Sequence, residues 1–216
     1  MNRTFGLIAI VAASISTPLF ADDFDTELTA IQQEWDGANY QMNDKAARSA
    51  AFTALLEHAA AFREQHAARA EAVAWEGIVL STYAGEVSAM SAMKYAKAAR
   101  EALERAERLN ATALAGGIYA SLGALYSKVP GGFIGFGDDE LAAQYFQKAL
   151  AVDPDNIDNN YFYGEFLIDQ GDYAQARTVL EHALAAPTAA DRPVFDTGRR
   201  NEIRGLLAVA ERKTST

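Results

Sequence analysis

The feature that most constrains the fold of this 216-residue chain is a repeat 34 residues long. Two triplets recur at that distance with the same four-then-three spacing: Ala142, Phe146 and Ala149, then Ala176, Leu180 and Ala183. Spacings of three and four place residues on one face of an α-helix. A period of 34 holds two helices and a turn, so the sequence predicts helical hairpins stacked into a solenoid. The concave surface of such a solenoid usually holds another molecule, which favours a binding protein over an enzyme.

Turn signals divide the rest of the chain into further helices, and the β-branched runs that favour strands are missing. The first hairpin is predicted to begin with a helix over about 24–40, broken at Gly37. A long helix follows, which residues 43–44 cap and which runs through His66. The second hairpin is predicted over about 67–83 and 89–109, with a break near Gly85. We therefore expect an all-α protein.

Two glycines mark the closest helix contacts of the last two hairpins, whose clearest repeats span 116–151 and 158–187. Gly123 and Gly164 are predicted to let the partner helix approach, because glycine has no side chain. A last helix, at about 197–213, is predicted to cap the solenoid with its apolar face and to turn four arginines to water: Arg199, Arg200, Arg204 and Arg212. The predicted fold is a solenoid of about four helical hairpins with a C-terminal capping helix.

The first 21 residues have the pattern of an export signal. Arg3 gives a short basic start, residues 5–13 are apolar, and a run of small residues ends at Ala21. We expect export to the periplasm, cleavage after Ala21 and a helical-repeat domain over 22–216 with no membrane insertion. An uncleaved anchor is the alternative, but the apolar stretch is short for a membrane span of about 20 residues.

Composition argues against several classes of function. The chain has 29 acidic and 19 basic side chains, a net charge of −10, which repels phosphate backbones and anionic lipids. We expect neither nucleic acid nor a membrane surface as partner. With no Cys, disulfides and thiolate metal sites are excluded. The three histidines lack metal-ligand spacing, and the acids at 153, 155 and 158 lack the Gly and Glu of a calcium loop. No cofactor, metal or catalytic residue is predicted, and Asp158 is interpreted as a helix cap.

The turn at 129–139 is the least ordinary segment of the chain. It contains four glycines and three large apolar residues, where a hairpin needs only a few polar ones. Phe133, Ile134 and Phe136 are expected to fold back onto the protein. Either they fill the core between repeats, or they wall an apolar ligand pocket or dock a partner. Asp138 and Asp139 precede the next helix and are predicted to cap it.

The inner face of the solenoid is expected on the first helix of each hairpin. Alignment of the repeats gives Gly117, Ala120, Ala124 and Ser127 in the third hairpin, and Asp158, Tyr161, Glu165 and Ile168 in the fourth. The residues of the third hairpin are small and uncharged and leave room for a guest. Those of the fourth contribute two acidic side chains and an aromatic ring. With no Lys or Arg on this face, the groove should disfavour an anionic peptide tail and accept a basic or neutral apolar guest. A solvated face that contacts nothing is the alternative. Trp75 and Tyr83 are interpreted as core residues first and contact residues second.

The segment 119–184 resembles tetratricopeptide repeats at the positions given above. More specifically, three segments resemble exported proteins similar to the T component of TRAP-type transporters: 130–139, Asn160-Tyr161-Phe162-Tyr163-Gly164-Glu165-Phe166, and Gly198-Arg199-Arg200. This resemblance covers about 67–212. It implies a periplasmic α-helical scaffold, with an internal cavity or pore for a hydrophobic ligand, that works beside a substrate-binding protein. The chain departs from that family because it has no Cys for a lipid anchor.

These observations together predict a periplasmic tetratricopeptide scaffold, not an enzyme, that binds a protein partner, a hydrophobic small molecule, or both. The partner that the resemblance implies is a periplasmic substrate-binding protein of a transport system. The predicted contact residues are Phe133, Ile134, Phe136, Tyr161, Glu165, Asp158, Ala120 and Ala124. The alternative is a small-molecule carrier that acts alone, with residues 130–139 as an aromatic lid.

Overall fold

The computed structural model describes residues 23–214, so the predicted export signal at 1–21 lies outside the described residues. Within that range the chain forms nine α-helices and no strand, and the predicted all-α class is confirmed. The helices are α1 (Asp23–Tyr40), α2 (Lys45–Gln65), α3 (Ala70–Glu86), α4 (Ala89–Asn110), α5 (Gly117–Lys128), α6 (Asp139–Val152), α7 (Ile157–Asp169), α8 (Tyr173–Ala185) and α9 (Pro193–Thr214). None of these helices has both the length and the apolar character needed to cross a bilayer.

The first eight helices pair in chain order into four hairpins, and α9 follows as a single helix. The predicted number of hairpins and the additional last helix are therefore confirmed. Two predicted breaks differ, because α1 continues through Gly37 and α3 runs past Gly85 to Glu86. A glycine inside a helix costs only about 1 kcal/mol, and the packing of an amphipathic face offsets that cost.

In three of the hairpins one glycine lets the two helices approach closely. A Cβ atom on that glycine would lie 2.5–2.7 Å from a large side chain of the partner helix, well inside van der Waals contact. The pairs are Gly77 with Leu103, Gly123 with Phe146, and Gly164 with Leu180. All three large side chains are fully buried. The predicted contacts at Gly123 and Gly164 are confirmed, and the contact at Gly77 shows the same packing in the second hairpin.

Side-chain caps fix the start of several helices. Asp44 and Asp138 cap α2 and α6 as predicted, since each carboxylate accepts a hydrogen bond from the amide three residues later, at 2.8 and 3.0 Å. Asp139 is the first residue of α6 and not a cap. The cap of α7 is Asn156, whose side chain accepts hydrogen bonds from two amides, including that of Asp158. The prediction that Asp158 caps the helix is wrong, and its carboxylate is available for another partner.

The last helix joins the end of the solenoid to its beginning. α9 starts at Pro193, four residues earlier than predicted, at a position where proline is favoured because the first amide of a helix has no intrahelical partner. It packs on α8 and α7, and also on α1. The ring of Tyr40 lies directly against Gly198, where any Cβ atom would overlap it. α9 therefore closes a ring of helices, whereas the sequence predicts only a cap on an open end.

Ring closure also reverses the predicted orientation of two arginines. Arg199 is only 5% exposed, and Arg200 is partly buried, donating to Asp196 and to backbone carbonyls near the end of α8. The prediction that they face water is wrong, because α1 and α7 cover the face that an open end would expose. Arg204 and Arg212 are exposed as predicted.

Replacing Gly123 with Ala tests the close approach inside a hairpin. The new Cβ would lie 2.7–2.9 Å from three atoms of the buried Phe146 ring, so the helices must separate. We expect Gly123→Ala to lower the free energy of unfolding by about 1–2 kcal/mol, since overpacking exceeds the gain in helix propensity. The control is Gly205→Ala in α9, where an added Cβ would meet no atom of residues 23–214 within 4 Å apart from its own stretch of helix, and a gain of about 0.5–1 kcal/mol is expected. Urea denaturation measures both, and the same sign for both variants would contradict the packing argument.

Candidate functional site

The inward faces of α1, α3, α5, α7 and α9 surround a cavity of about 520 Å³. Large apolar and aromatic side chains form one part of its wall, and small or polar side chains form the rest; the large ones are Trp35, Trp75, Ile78, Leu114, Tyr161, Phe162 and Phe195. Small-molecule sites have volumes of roughly 300–1,000 Å³ and are lined by such side chains with a few polar groups. The cavity has the size and the lining of a site for a small organic guest.

The wall that α5 contributes consists of small residues, which is why the space is not filled. Gly117, Ala120, Ser121 and Ala124 line the cavity and follow one face of this helix. The larger residues of α5 point into the core between hairpins, where Ile118 and Leu122 are fully buried. The large side chains of α5 therefore point away from the cavity.

One cavity residue is held in a strained backbone conformation. Leu114 and Ala115 have φ angles of 57° and 50°, a left-handed region that residues with a Cβ atom rarely adopt. The buried side chain of Asn159 donates hydrogen bonds to the carbonyl oxygens of Ala115 and Ala149, at 2.9 and 3.1 Å. These bonds fix the turn between the second and third hairpins. They hold Leu114 in the cavity wall.

Two arginines bring positive charge to the cavity, whose lining also includes the acidic residues Asp158 and Glu202. Arg192 precedes α9 and donates from Nε and Nη2 to both carboxylate oxygens of the buried Asp36, at 3.1 and 2.5 Å. Arg199 donates from Nε to Asp158 and from Nη1 to Glu202, each at 2.7 Å. These bonds connect α1, α7 and α9, so the polar groups of the cavity also hold the ring closed.

Burial changes the ionisation of several groups at this end of the cavity. Burial raises the pKa of Asp36, the hydrogen bond from Arg192 lowers it, and the net direction is upward. For Arg199 burial opposes the charged form, but the charges of Asp158 and the other acidic neighbours outweigh that effect and raise its pKa. Burial also raises the pKa of Tyr161 well above its usual range. Near neutral pH the cavity therefore contains a charged Arg199 and a neutral phenol.

Four of the eight predicted contact residues line the cavity: Ala120, Ala124, Asp158 and Tyr161. Glu165 lies outside its lining, where Lys128 binds it at 3.2 Å. The expectation that no Lys or Arg lies on the inner face is wrong for the complete ring. That expectation considered the first helices of the hairpins alone, whereas Arg192 and Arg199 enter from the C-terminal segment.

The turn at 129–139 divides into a buried and an exposed part. Phe136 folds back as predicted: its ring packs edge-on against Tyr126, at a centroid distance of 5.6 Å, beneath the guanidinium of Arg100. Phe133 and Ile134 do not fold back, since they are 112% and 76% exposed. The prediction is wrong for these two because the glycines beside them extend the turn beyond the core. None of the three lines the cavity.

The sequence analysis missed the cavity residues that come from the two ends of the chain. Trp35, Arg192, Phe195 and Arg199 lie outside the recognised repeats, in α1, in α9 or just before α9, so repeat alignment does not place them. The burial of Asp36, which the sequence does not show, is what points to them: Asp36 follows Trp35 in a helix whose other buried residues are apolar. A carboxylate in such a position requires a cationic partner, which directs attention to the arginines of the C-terminal segment.

Comparison with known proteins supports the repeat class. Residues 134–191, which contain α6, α7 and α8, match a family model described as Tetratricopeptide repeat. No curated protein matches the chain. Among solved structures, YrrB, described as a TPR protein with an unusual peptide-binding site, aligns over 90% of this chain and 93% of its own, with 18% identity and a TM-score of 0.42. The family match and the hairpins support a tetratricopeptide repeat protein, a class of protein-binding scaffolds.

Removing one partner of the Asp36–Arg192 pair tests the ring closure. Asp36→Ala leaves a largely buried guanidinium without its carboxylate, and we expect a loss of about 3 kcal/mol in the free energy of unfolding. The control is Asp155→Ala, which removes the partner of His182 in a pair whose side chains are both half or more exposed. That change should cost less than about 0.5 kcal/mol. Equal losses in urea denaturation would show that the pair does not hold the ring together.

Proposed function

We propose that this protein is an exported tetratricopeptide-type scaffold that binds a hydrophobic small molecule in its central cavity. The observation that carries the proposal is the cavity of about 520 Å³ between five helices, with two tryptophans and other large apolar side chains in its wall. Binding an apolar guest removes that wall from water, a gain of roughly 25 cal/mol per Å² of apolar surface. The small residues of α5 support this function, since larger ones would fill the space.

Export and a role beside a transport system belong to the same proposal. The predicted export signal at 1–21 supports a periplasmic location, and the resemblance to transporter-associated proteins supports a substrate-binding protein as partner. The guest and the partner then use different surfaces. The cavity lies inside the ring, whereas Phe133 and Ile134 at the turn 129–139 face outward.

Native mass spectrometry of protein purified from its own periplasm tests both parts of the proposal. A co-purified metabolite is expected if the cavity is the site, and a co-purified polypeptide is expected if the outer turn docks a partner. The chain contains two tryptophans, Trp35 and Trp75, and both line the cavity. Their fluorescence therefore reports directly on a guest. Binding of an apolar molecule without any change in their emission would contradict the assignment of the site.

Filling the cavity should abolish binding without unfolding the protein. Ala124→Phe adds a ring to the α5 wall, and we expect it to weaken binding of the neutral fluorophore N-phenyl-1-naphthylamine at least about tenfold, by removing space and contacts. The matched control is Ala174→Phe, the same change at an exposed position of α8, which should leave the affinity unchanged. Fluorescence titration measures the affinity, and circular dichroism checks the fold. Equal affinity in the two variants would contradict the cavity as the binding site.

A second candidate function, docking of a protein partner, rests on the exposed tip of the turn at 129–139. Phe133 and Ile134 project from a segment that lies against α4, since a Cβ atom at Gly135 would be 2.9 Å from Met93. One turn earlier in α4, Met90 is 94% exposed. Exposed apolar side chains concentrated at one edge are typical of protein interaction sites.

Replacing the two exposed residues separates docking from stability. We expect Phe133→Ser with Ile134→Ser to leave the midpoint of thermal unfolding unchanged, because neither side chain is buried, and to remove the polypeptide found by native mass spectrometry. Phe136→Ala is the contrasting variant, with an expected cost of about 2–3 kcal/mol because its ring packs between Tyr126 and Arg100. Retention of the polypeptide by the double variant would exclude the tip as the docking site.

A further inference from the structure

The two cavity arginines keep hydrogen-bond donors for which the described part of the chain offers no acceptor. Arg192 donates hydrogen bonds from Nε and Nη2 to Asp36. Arg199 donates from Nε to Asp158 and from Nη1 to Glu202. Among residues 23–214, Nη1 of Arg192 and Nη2 of Arg199 have no hydrogen-bond partner. Both guanidinium groups line the cavity, and Arg199 is 95% buried. Neither nitrogen belongs to the fully buried side-chain atoms that lack a partner, so both are accessible to solvent, and an acceptor on a guest would take the place of water at these donors.

Both guanidinium groups lie at one end of the cavity. Their central carbons are 4.3 Å (Arg192) and 5.6 Å (Arg199) from the centroid of the same ring, that of Phe195. Arg192 is also 5.5 Å from the centroid of Trp75, whose buried indole N–H has no partner in the described part of the chain. The apolar residues Ile78 and Leu114 belong to the same cavity. The lining therefore combines a cluster of donors with apolar surface.

The charges at this end do not favour an anion. The two guanidinium groups contact three carboxyl groups, those of Asp36, Asp158 and Glu202. Each positive charge is already paired, so an incoming carboxylate would meet no net positive charge and would lose its hydration. An uncharged oxygen acceptor, such as a ketone, ester or amide carbonyl, uses the same donors at a much smaller desolvation cost.

We propose that the cavity selects an uncharged apolar molecule bearing a carbonyl or similar oxygen acceptor, which receives hydrogen bonds from Arg192 and Arg199. This inference rests on the proposed function of the cavity and narrows the class of guest. The two arginines set specificity through nitrogens that the ring closure leaves free. The same residues thus close the ring and recognise the guest.

Three probes of similar shape test the inference on the full protein: cyclooctanone, cyclooctane and cyclooctanecarboxylate, titrated by tryptophan fluorescence. The readout is the ratio of the affinity for the ketone to that for the alkane. We expect this ratio to fall about tenfold or more in Arg192→Lys combined with Arg199→Lys, because lysine can pair with the carboxylates but lacks the second terminal nitrogen. The alkane remains bound by both proteins and reports that the cavity is intact.

Arg200→Lys is the matched control, since Arg200 lies on the same helix outside the cavity lining and its nitrogens bond to Asp196 and to backbone carbonyls. Its affinity ratio should equal that of the native chain. An unchanged ratio in the double variant, or native binding of the carboxylate more tightly than the ketone, would overturn the inference while leaving the cavity function intact. Failure of the native chain to bind any of the three probes would contradict the proposed function itself, and the inference with it.

Discussion

The contact between the first and the last helix determines whether the hairpins enclose a cavity. Stacked hairpins alone form an open concave surface, and only the packing of α9 on α1 and α7 turns that surface into a cavity. The contact combines apolar packing, the Tyr40 ring on Gly198 and Phe195 in the core cluster of α1, with polar bonds. Arg192 binds Asp36, and the Tyr40 hydroxyl donates to Glu202 at 3.0 Å. Closure therefore depends on direction-specific hydrogen bonds that an apolar seam would not require.

Local patterns in the sequence were sufficient to predict the hairpins. The spacing of Ala142, Phe146 and Ala149 identifies the face of α6 that packs on α5, and all three are fully buried. Gly123 and Gly164 identify the close contacts, because a side chain at either position would overlap the partner helix. These features depend on neighbours within about 40 residues, so periodicity and residue size describe them well.

Ring closure was not predictable by the same reasoning, since its partners are far apart in the chain. Asp36 and Arg192 are separated by 156 positions, and their pairing depends on the curvature accumulated over four hairpins. Repeat alignment correctly placed Ala120, Ala124, Asp158 and Tyr161 on the inner face, because regular hairpins present equivalent faces. Repeat alignment does not cover α9, because that helix has no counterpart among the repeats. It therefore predicted an inner face without positive charge. The exposure of Phe133 and Ile134 was missed for another reason: a glycine-rich turn has no periodicity from which a packing direction follows.

The separation of the two candidate surfaces follows from how α5 is built. One face of this helix lines the cavity with small residues, and its C-terminus leads into the turn that carries Phe133 and Ile134. That turn is anchored by Phe136 on Tyr126 and Arg100, which are not cavity residues. The position of the exposed tip therefore does not require an occupied cavity. The cavity and the exposed tip are thus separate surfaces of the molecule that both border α5.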